Sequence, residues 1–568
     1  MNSVSFSPAL SENYSDIIAL NSSLPDNFPE KLSELYSQQV NSQYTILYAP
    51  LSENLSTAEE IGYSSVPKLF TEINVVSLEA SGILPVRIRS SLELSGSGIL
   101  LGFLDSGIDY THPVFRNTDG SSRILRLWDQ SDKRGTPPSG ISYGSEFTKE
   151  QIDEALFSVI SSEIIPNRDP SGHGTAVAGI ACGSPEAGQG FTGAAPSCGI
   201  AFVRLKPAKN YLRDYFRIPD DAVAYQENDL MLGIRYLLNC SEQLAMPLVI
   251  CLSLGTNQGG HTGETPLEKV LDAAAESPGI CTVTGTGNEA GFDHHFLGRL
   301  RHHNDTADIE LLVDQETPGF SVEFWADISD LCALGFTSPL GETFQPFLPD
   351  SGSSRTLSFL LEKSSISLTC SILPFPDDSQ LILMRFTDPT PGIWRIHVVS
   401  LSFVTGVFHL WLPISGLVER NIRFSAASAD TTLVIPSCAS SSITVSSWNA
   451  YNNSLYAHSG RGYTRNGQIK PDFASPGVQV TCPAPGGGYS SLTGSCAASA
   501  LAAGASALLL ESGLRQEPPR HFTFTELKKL FRDGTQKQTS YSYPDREWGY
   551  GSMNVYESFL SHMAGKNI

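Results

Sequence analysis

The chain is poor in positive charge. It carries 37 Lys and Arg against 59 Asp and Glu, a formal net charge of −22, with an isoelectric point near 4.9. Nucleic acid and anionic membrane surfaces select basic proteins, so neither is expected as a partner. The opening MNSVSFSPALSENYSDIIALN has no cation before Lys31 and no long apolar core. It therefore does not read as a Sec signal peptide. No uninterrupted apolar run reaches the roughly 18 residues that cross a bilayer, so no membrane span is expected. The ten cysteines include no CxxC pair. Without export they are expected to be buried or free thiols rather than a disulfide frame; Cys251 and Cys281, each in an apolar run, read as core. Internal repeats and low-complexity tracts are also missing.

What is present is a globular composition. Hydrophobic residues make up 40% of 568 residues and the mean hydropathy is −0.08, enough for several domains and a large core. Residues 1–40 are polar and show little to anchor them, whereas Gln43–Ala49 reads as a strand and Val66–Phe70 as a short extended segment. Leu78–Ile83 reads as a short helix stopped by Gly82. The apolar, non-alternating runs Gly98–Leu104, Gly199–Val203, Leu248–Gly255 and Gly279–Val283 read as strands of a parallel sheet covered on both faces. Helical periodicity at Asp221–Met246 and around 266–276 separates them, which gives an α/β class. Residues 130–170 read as loop. From 305 to 430 about seven short strands follow one another without helices, which indicates an inserted β-sandwich or jelly roll. The α/β texture then resumes at Ser442–Val445.

Chemistry-bearing residues sit at the ends of these elements. Asp105 closes a strand, where α/β folds place reactive groups. His173 enters a small-residue helix between Gly172 and Gly174, so something is expected to come close to its imidazole. Asn288 sits in a Gly-rich turn after the Gly279 strand. Thr493-Gly494-Ser495-Cys496-Ala497-Ala498 turns into a helix rich in Ala, and a side chain there meets unpaired N–H groups and the positive end of the helix dipole. His294, His295, His302 and His303 cluster before the insertion but lack a matching Cys or carboxylate pattern, so no metal and no cofactor is expected.

Taken together, these motifs resemble the subtilase family of S8 peptidases. Asp105-Ser106-Gly107-Ile108 is similar to that family's Asp motif, Ser171-Gly172-His173-Gly174-Thr175 to its His motif and Gly287-Asn288-Glu289 to its oxyanion motif. Ser253-Leu254-Gly255 is similar to its substrate-binding edge strand. The order of acid, histidine and nucleophile is that of subtilisin. Within the family, Asp105–Phe115, Trp128-Asp129-Gln130, the insertion and the closing Trp548-Gly549-Tyr550-Gly551 resemble the Csp germination proteases of spore-forming Firmicutes and their gut-bacterial relatives. The resemblance implies a subtilisin-like parallel sheet flanked by helices and interrupted by a jelly roll. It also implies a small α+β propeptide, cut in cis near Phe70–Ile73. The expected organisation is propeptide 1–73, catalytic domain 74–304, jelly roll 305–430 and catalytic domain 431–568. The expected setting is cytoplasmic or spore-associated.

One departure matters. The family places Ser in Gly-Thr-Ser-x-Ala, eight residues before a Gly. Eight before Gly504 is Cys496, so Ser495 takes the Thr position and Cys496 the nucleophile position. The family's Pro and His beyond the nucleophile are Ala500 and Leu501 here. The resemblance thus implies an endopeptidase with Cys496 as nucleophile, His173 as base, Asp105 as orienter and Asn288 as oxyanion donor, acting on a protein or peptide substrate and on its own propeptide. A thiol at a helix start beside a histidine is a competent nucleophile. Sulfur's longer bonds fit a serine-shaped oxyanion hole less well. Two other readings are therefore carried: a silent member of the family that binds a partner in germination signalling, and a redox-sensitive thiol.

Overall fold

Strands with no polar alternation need cover on both faces and pair in parallel. We obtained a computed structural model, which describes residues 7–23, 36–51, 63–72, 80–88, 93–158, 161–166, 169–349, 351–352, 354–374 and 376–564. The strands that position the site are β1 (Tyr14–Leu20), β2 (Tyr36–Gln39), β3 (Tyr44–Pro50), β4 (Leu69–Glu72), β5 (Leu100–Asp105), β6 (Ile124–Asp129), β7 (Ser145–Thr148), β8 (Gly199–Arg204), β9 (Tyr225–Gln226), β10 (Leu248–Leu252), β11 (Leu254–Gly255) and β12 (Ile280–Gly285).

The central sheet runs in parallel through β6, β8, β5, β10, β12, Ile443–Asn449 and Phe473–Pro476, with β7 and Ser454–Leu455 as antiparallel additions. Every residue of β5, β10 and β12 is buried. One face is covered by the helices His173–Cys182 and Ser495–Leu514, whose Ala, Gly and Ser residues let them lie close to the strands and to each other. The Ser495–Leu514 helix is the one described helix long and apolar enough to cross a bilayer, and 89% of its apolar window is buried inside the protein as core. Helices Glu227–Leu244 and Pro266–Ala275 cover the other face.

The inserted unit is two antiparallel sheets around an apolar centre of Phe320, Phe324, Phe336, Met384, Trp394 and Phe408. His295–Arg299, before residue 305, joins one of these sheets by pairing with Val407–Trp411. Cys332–Thr337, Thr343–Phe347 and Ile422–Phe424 are further strands that short apolar runs did not reveal.

Three readings of the sequence need correction. Gly82 precedes a helix rather than ending one: its φ is +71°, and Ile83–Ile88 follows with Pro85 in the first turn, where a missing N–H is harmless. Leu78 and Glu79 lie outside the described residues. Within 130–170, β7 leads into the helix Lys149–Phe157 through a capping box of Thr148 and Gln151, a local signal that the Pro- and Gly-rich surroundings hid. The helix expected from Asp221 starts only at Glu227, because Tyr225–Gln226 is drawn into β9.

The N-terminal unit is also firmly anchored, contrary to its polar appearance. β1, β3 and β2 form an antiparallel sheet. Asp16 on β1 is buried and pairs with Lys209 at 3.0 Å, while its N–H donates to the Tyr211 hydroxyl at 2.7 Å and Gln226 Nε2 donates to its second oxygen at 2.6 Å. An acid in a strand reads as solvent-facing; here it is the anchor to the catalytic sheet. Asp16→Ala strands a buried ammonium, a loss of about 3–5 kcal/mol. Amide exchange across β1 and β3 should then rise well before that of β5 and β10. Unchanged protection of β1 would show that Asp16 is not the anchor.

Candidate active site

Asp105 is delivered by the C-terminal end of β5 and is buried. His173 starts the next helix on that face, and its Nδ1 lies 2.8 Å and 3.0 Å from the two Asp105 oxygens. Gly174 makes this approach possible. A Cβ there would sit 2.1 Å from the Gly107 carbonyl and 3.0 Å from the Asp105 Cβ. The group that comes close to His173 and its glycines is therefore the acid-bearing strand end. Asp169, which the sequence reading passed over, holds this junction. It accepts from Ser106 Oγ at 2.7 Å, Gly172 N at 3.1 Å and Thr175 N at 2.9 Å, and also from the Thr175 hydroxyl. An Asp four residues before the histidine, at the mouth of a helix, was the available signal: a carboxylate there caps free N–H groups.

The two candidate nucleophiles separate clearly. The Ser495 hydroxyl accepts from Gly287 N at 2.9 Å, and Ser495 N donates to Asn288 Oδ1 at 3.0 Å. Ser495 therefore ties the helix start to the turn after β12. Gly285 is required beside it, since a Cβ there would lie 2.6 Å from the Ser495 carbonyl. Cys496, one residue and about 100° further round the helix, is buried on the His173 side, where its side chain acts on the imidazole. Burial alone lowers the His173 pKa, but the charge and hydrogen bond of Asp105, joined by those of Cys496, hold it well above the ordinary histidine value. Asn288 Oδ1 is taken by Ser495, so the amide's remaining polar group is its NH2 donor. The Cys496 N–H lies in the first turn of that helix, at the positive end of its dipole.

Of the expected edge strand, Leu254 and Gly255 form β11, and β11 pairs antiparallel with β4, Leu254 facing Glu72 and Gly255 facing Thr71. On its other side β4 pairs with β9, Leu69 facing Gln226 and Phe70 facing Tyr225. A segment of the N-terminal region thus fills the groove between two edges of the catalytic domain. Ser253 serves from inside: its hydroxyl contacts Ser499 Oγ at 2.9 Å and the Cys496 carbonyl at 3.3 Å. The expected cut near Phe70–Ile73 falls here, with Ile73 outside the described residues.

None of the ten cysteines forms a disulfide, and burial pushes the Cys251 and Cys281 thiols up to about 12. The histidine cluster disperses: His294 bonds Glu289 at 2.7 Å, His295 bonds His409 at 2.9 Å, and His302 and His303 are exposed. Among the described residues no group of three or more His, Cys, Asp or Glu is placed to hold a metal ion.

A parallel sheet that sets an acid, an imidazole and a helix-borne nucleophile position along one crevice defines a subtilisin-like hydrolase architecture. The chain belongs to the subtilase family (peptidase S8), which matches residues 96–310 and 419–551. In three dimensions it is similar to the CspB protease of Clostridium perfringens, with a TM-score of 0.74 and 30% identity, covering 84% of this chain and 96% of that one. The C5a peptidase of Streptococcus pyogenes serotype M3 is 23% identical over 74% of this chain, which spans 35% of that protein's length. Subtilisin-like protease SBT2.2 of Arabidopsis thaliana is 36% identical over 101 residues, 16% of this chain and 12% of its own. The resemblance to the Csp type thus extends across the fold.

Asp105→Asn removes the charge that sustains the imidazolium. The His173 pKa should fall by at least about one unit, read from its ring-proton NMR titration. In the wild type, stability supplied by charged His173 is complete below about pH 6.5 and is lost as pH rises through the native value. The variant should show a flatter stability profile above neutral pH. A titration midpoint unmoved by Asp105→Asn would contradict the pairing.

Proposed function

We propose that this subtilase is an endopeptidase that cuts its own N-terminal segment in cis through a Cys496 thiol. The observation that carries the reading is β4 itself. It is bound by strand addition on both sides, and it runs antiparallel to β11 toward Ser253, whose hydroxyl touches the Cys496 carbonyl. A chain seated this way presents its next peptide bond to the start of the Ser495–Leu514 helix.

In this mechanism Cys496 has already passed its proton to His173, and the thiolate of that thiolate–imidazolium pair attacks the carbonyl carbon. Asp105 fixes the imidazole through Nδ1 and stabilises its charge. The Asn288 NH2 and the Cys496 N–H take the negative charge that forms on the carbonyl oxygen. His173 returns the proton to the departing amine, leaving a thioester on Cys496. Water then hydrolyses the thioester with His173 again as base. Protein or peptide substrates would follow the same path once the segment leaves. The expected setting, cytoplasmic or spore-associated, belongs to this proposal.

A second reading is a partner-binding protein that keeps its cleft filled. The seating of β4 between both edges favours it too, because a bound segment need not be cut. Intact mass and N-terminal sequencing of the purified chain separate the two. Under the first reading the wild type begins just beyond Glu72, at Ile73, Asn74 or Val75, and His173→Ala stays whole. Asp105→Asn slows the cut by about 10⁴-fold. A wild-type chain that stays whole overturns the first reading in favour of the second.

A further inference from the structure

Away from the catalytic group, one ammonium is sealed among carboxylates from separate parts of the chain. Lys68, just before β4, is 1% exposed. Its Nζ lies 3.7 Å from Glu227 Oε2 at the start of the Glu227–Leu244 helix. It also donates to the Tyr63 and Val66 carbonyls at 2.9 Å and 2.8 Å. A third component comes from the jelly roll. In the strand Gly319–Asp327 the alternation that sends Phe320, Val322 and Phe324 into the sandwich core sends Glu323 and Trp325 toward the catalytic domain. Glu323 is buried and its charge acts on Lys68.

Both carboxylates are held by groups other than the lysine. Glu227 Oε1 accepts from Leu267 N at 3.1 Å. Glu323 Oε2 accepts from Gly259 N at 2.9 Å and Trp325 Nε1 at 3.0 Å, and Oε1 from the Tyr63 hydroxyl. Another cation on this side, Arg465, lies over the Trp325 ring and pairs with Asp377 at 3.6 Å. The backbone at position 68 is gripped independently of side-chain type. Lys68 N donates to Glu227 Oε2 at 3.1 Å, Glu227 N to the Lys68 carbonyl at 2.8 Å, and Leu69 N to Gln258 Oε1 at 2.9 Å. Main-chain contacts thus position the residue, and the side-chain pocket chooses it.

We propose that Glu227 and Glu323 form a subsite of the substrate cleft that accepts a lysine or arginine side chain four residues before the residue facing Leu254. Lys68 occupies it in cis, and a basic residue of a peptide substrate occupies it after the segment has gone. This rests on the reading of β4 as the occupant of the substrate path. The selectivity is electrostatic: two buried carboxylates lose their countercharge when a neutral side chain enters, and an acidic one adds a third negative charge. The insertion becomes part of substrate recognition, because it supplies Glu323.

Two measurements on the full chain test this. Hydrogen exchange of the amides from Val66 to Glu72 is compared in wild type, Lys68→Arg, Lys68→Met and Lys68→Met with Glu323→Gln. Exchange should rise at least about tenfold in Lys68→Met, much less in Lys68→Arg, and recover in the double variant, where a neutral pair replaces an orphaned charge. Equal exchange in wild type and Lys68→Met overturns the subsite. The second measurement is cleavage of a synthetic peptide of sequence Val66 to Val75 against the same peptide with Met at the lysine position. The kcat/KM ratio should be at least about tenfold in wild type and shrink in Glu323→Gln. Equal cutting of both peptides also overturns the subsite. If neither peptide is cut, the peptidase reading fails while the exchange measurement still decides the subsite.

Discussion

A carboxylate taken out of water needs a partner, and the partner fixes what is built around it. Asp105 is buried at the end of a buried strand, and His173, 68 positions further along the chain, reaches it. Gly174 leaves room for the approach, and Asp169 holds the loop that makes it. The ion pair keeps the imidazole charged, which in turn makes it a fitting neighbour for a side chain that must carry negative charge. Ser495 is used up in joining its helix to the turn after β12, and this leaves Cys496 to face the histidine. The catalytic proposal is a consequence of that division between neighbours.

The same logic of buried charge joins the parts of the chain to one another. The N-terminal sheet is pinned through Asp16 to Lys209, and the segment after it through Lys68 to Glu227. The jelly roll, inserted between two halves of the catalytic sheet, sends Glu323 to the second of these sites. Each pair crosses a boundary between units. Each would be costly to leave half empty, so the units are specified against one another and not merely tethered.

The catalytic sheet was legible because fully buried parallel strands have no alternation, and because Asp105, His173, Asn288 and Cys496 sit where strands and helices end. The sandwich was legible in outline, but His295–Arg299 was not, since a strand carrying His, Gly and Arg shows no apolar pattern until Val407–Trp411 pairs with it. Nothing local singles out Asp16 or Lys68, because their partners, Lys209 and Glu227, arrive from far along the chain. Ser253 was expected at the cleft; its hydroxyl also braces the Cys496 carbonyl, a role only the packed helix could show. The choice between Ser495 and Cys496 rests on spacing to Gly504, and the use of Ser495 in the tie to the turn after β12 supports it.

The central claim is that the attacking group stands at position 496 and not at 495. Intact-mass measurement of Cys496→Ala beside Ser495→Ala tests it most directly, with the wild type as reference. The account predicts that Cys496→Ala retains its full mass while Ser495→Ala still loses the segment ending near Glu72, more slowly because the helix start has lost its tie to Gly287. A Cys496→Ala chain that is cut as the wild type is, with Ser495→Ala left whole, would contradict it.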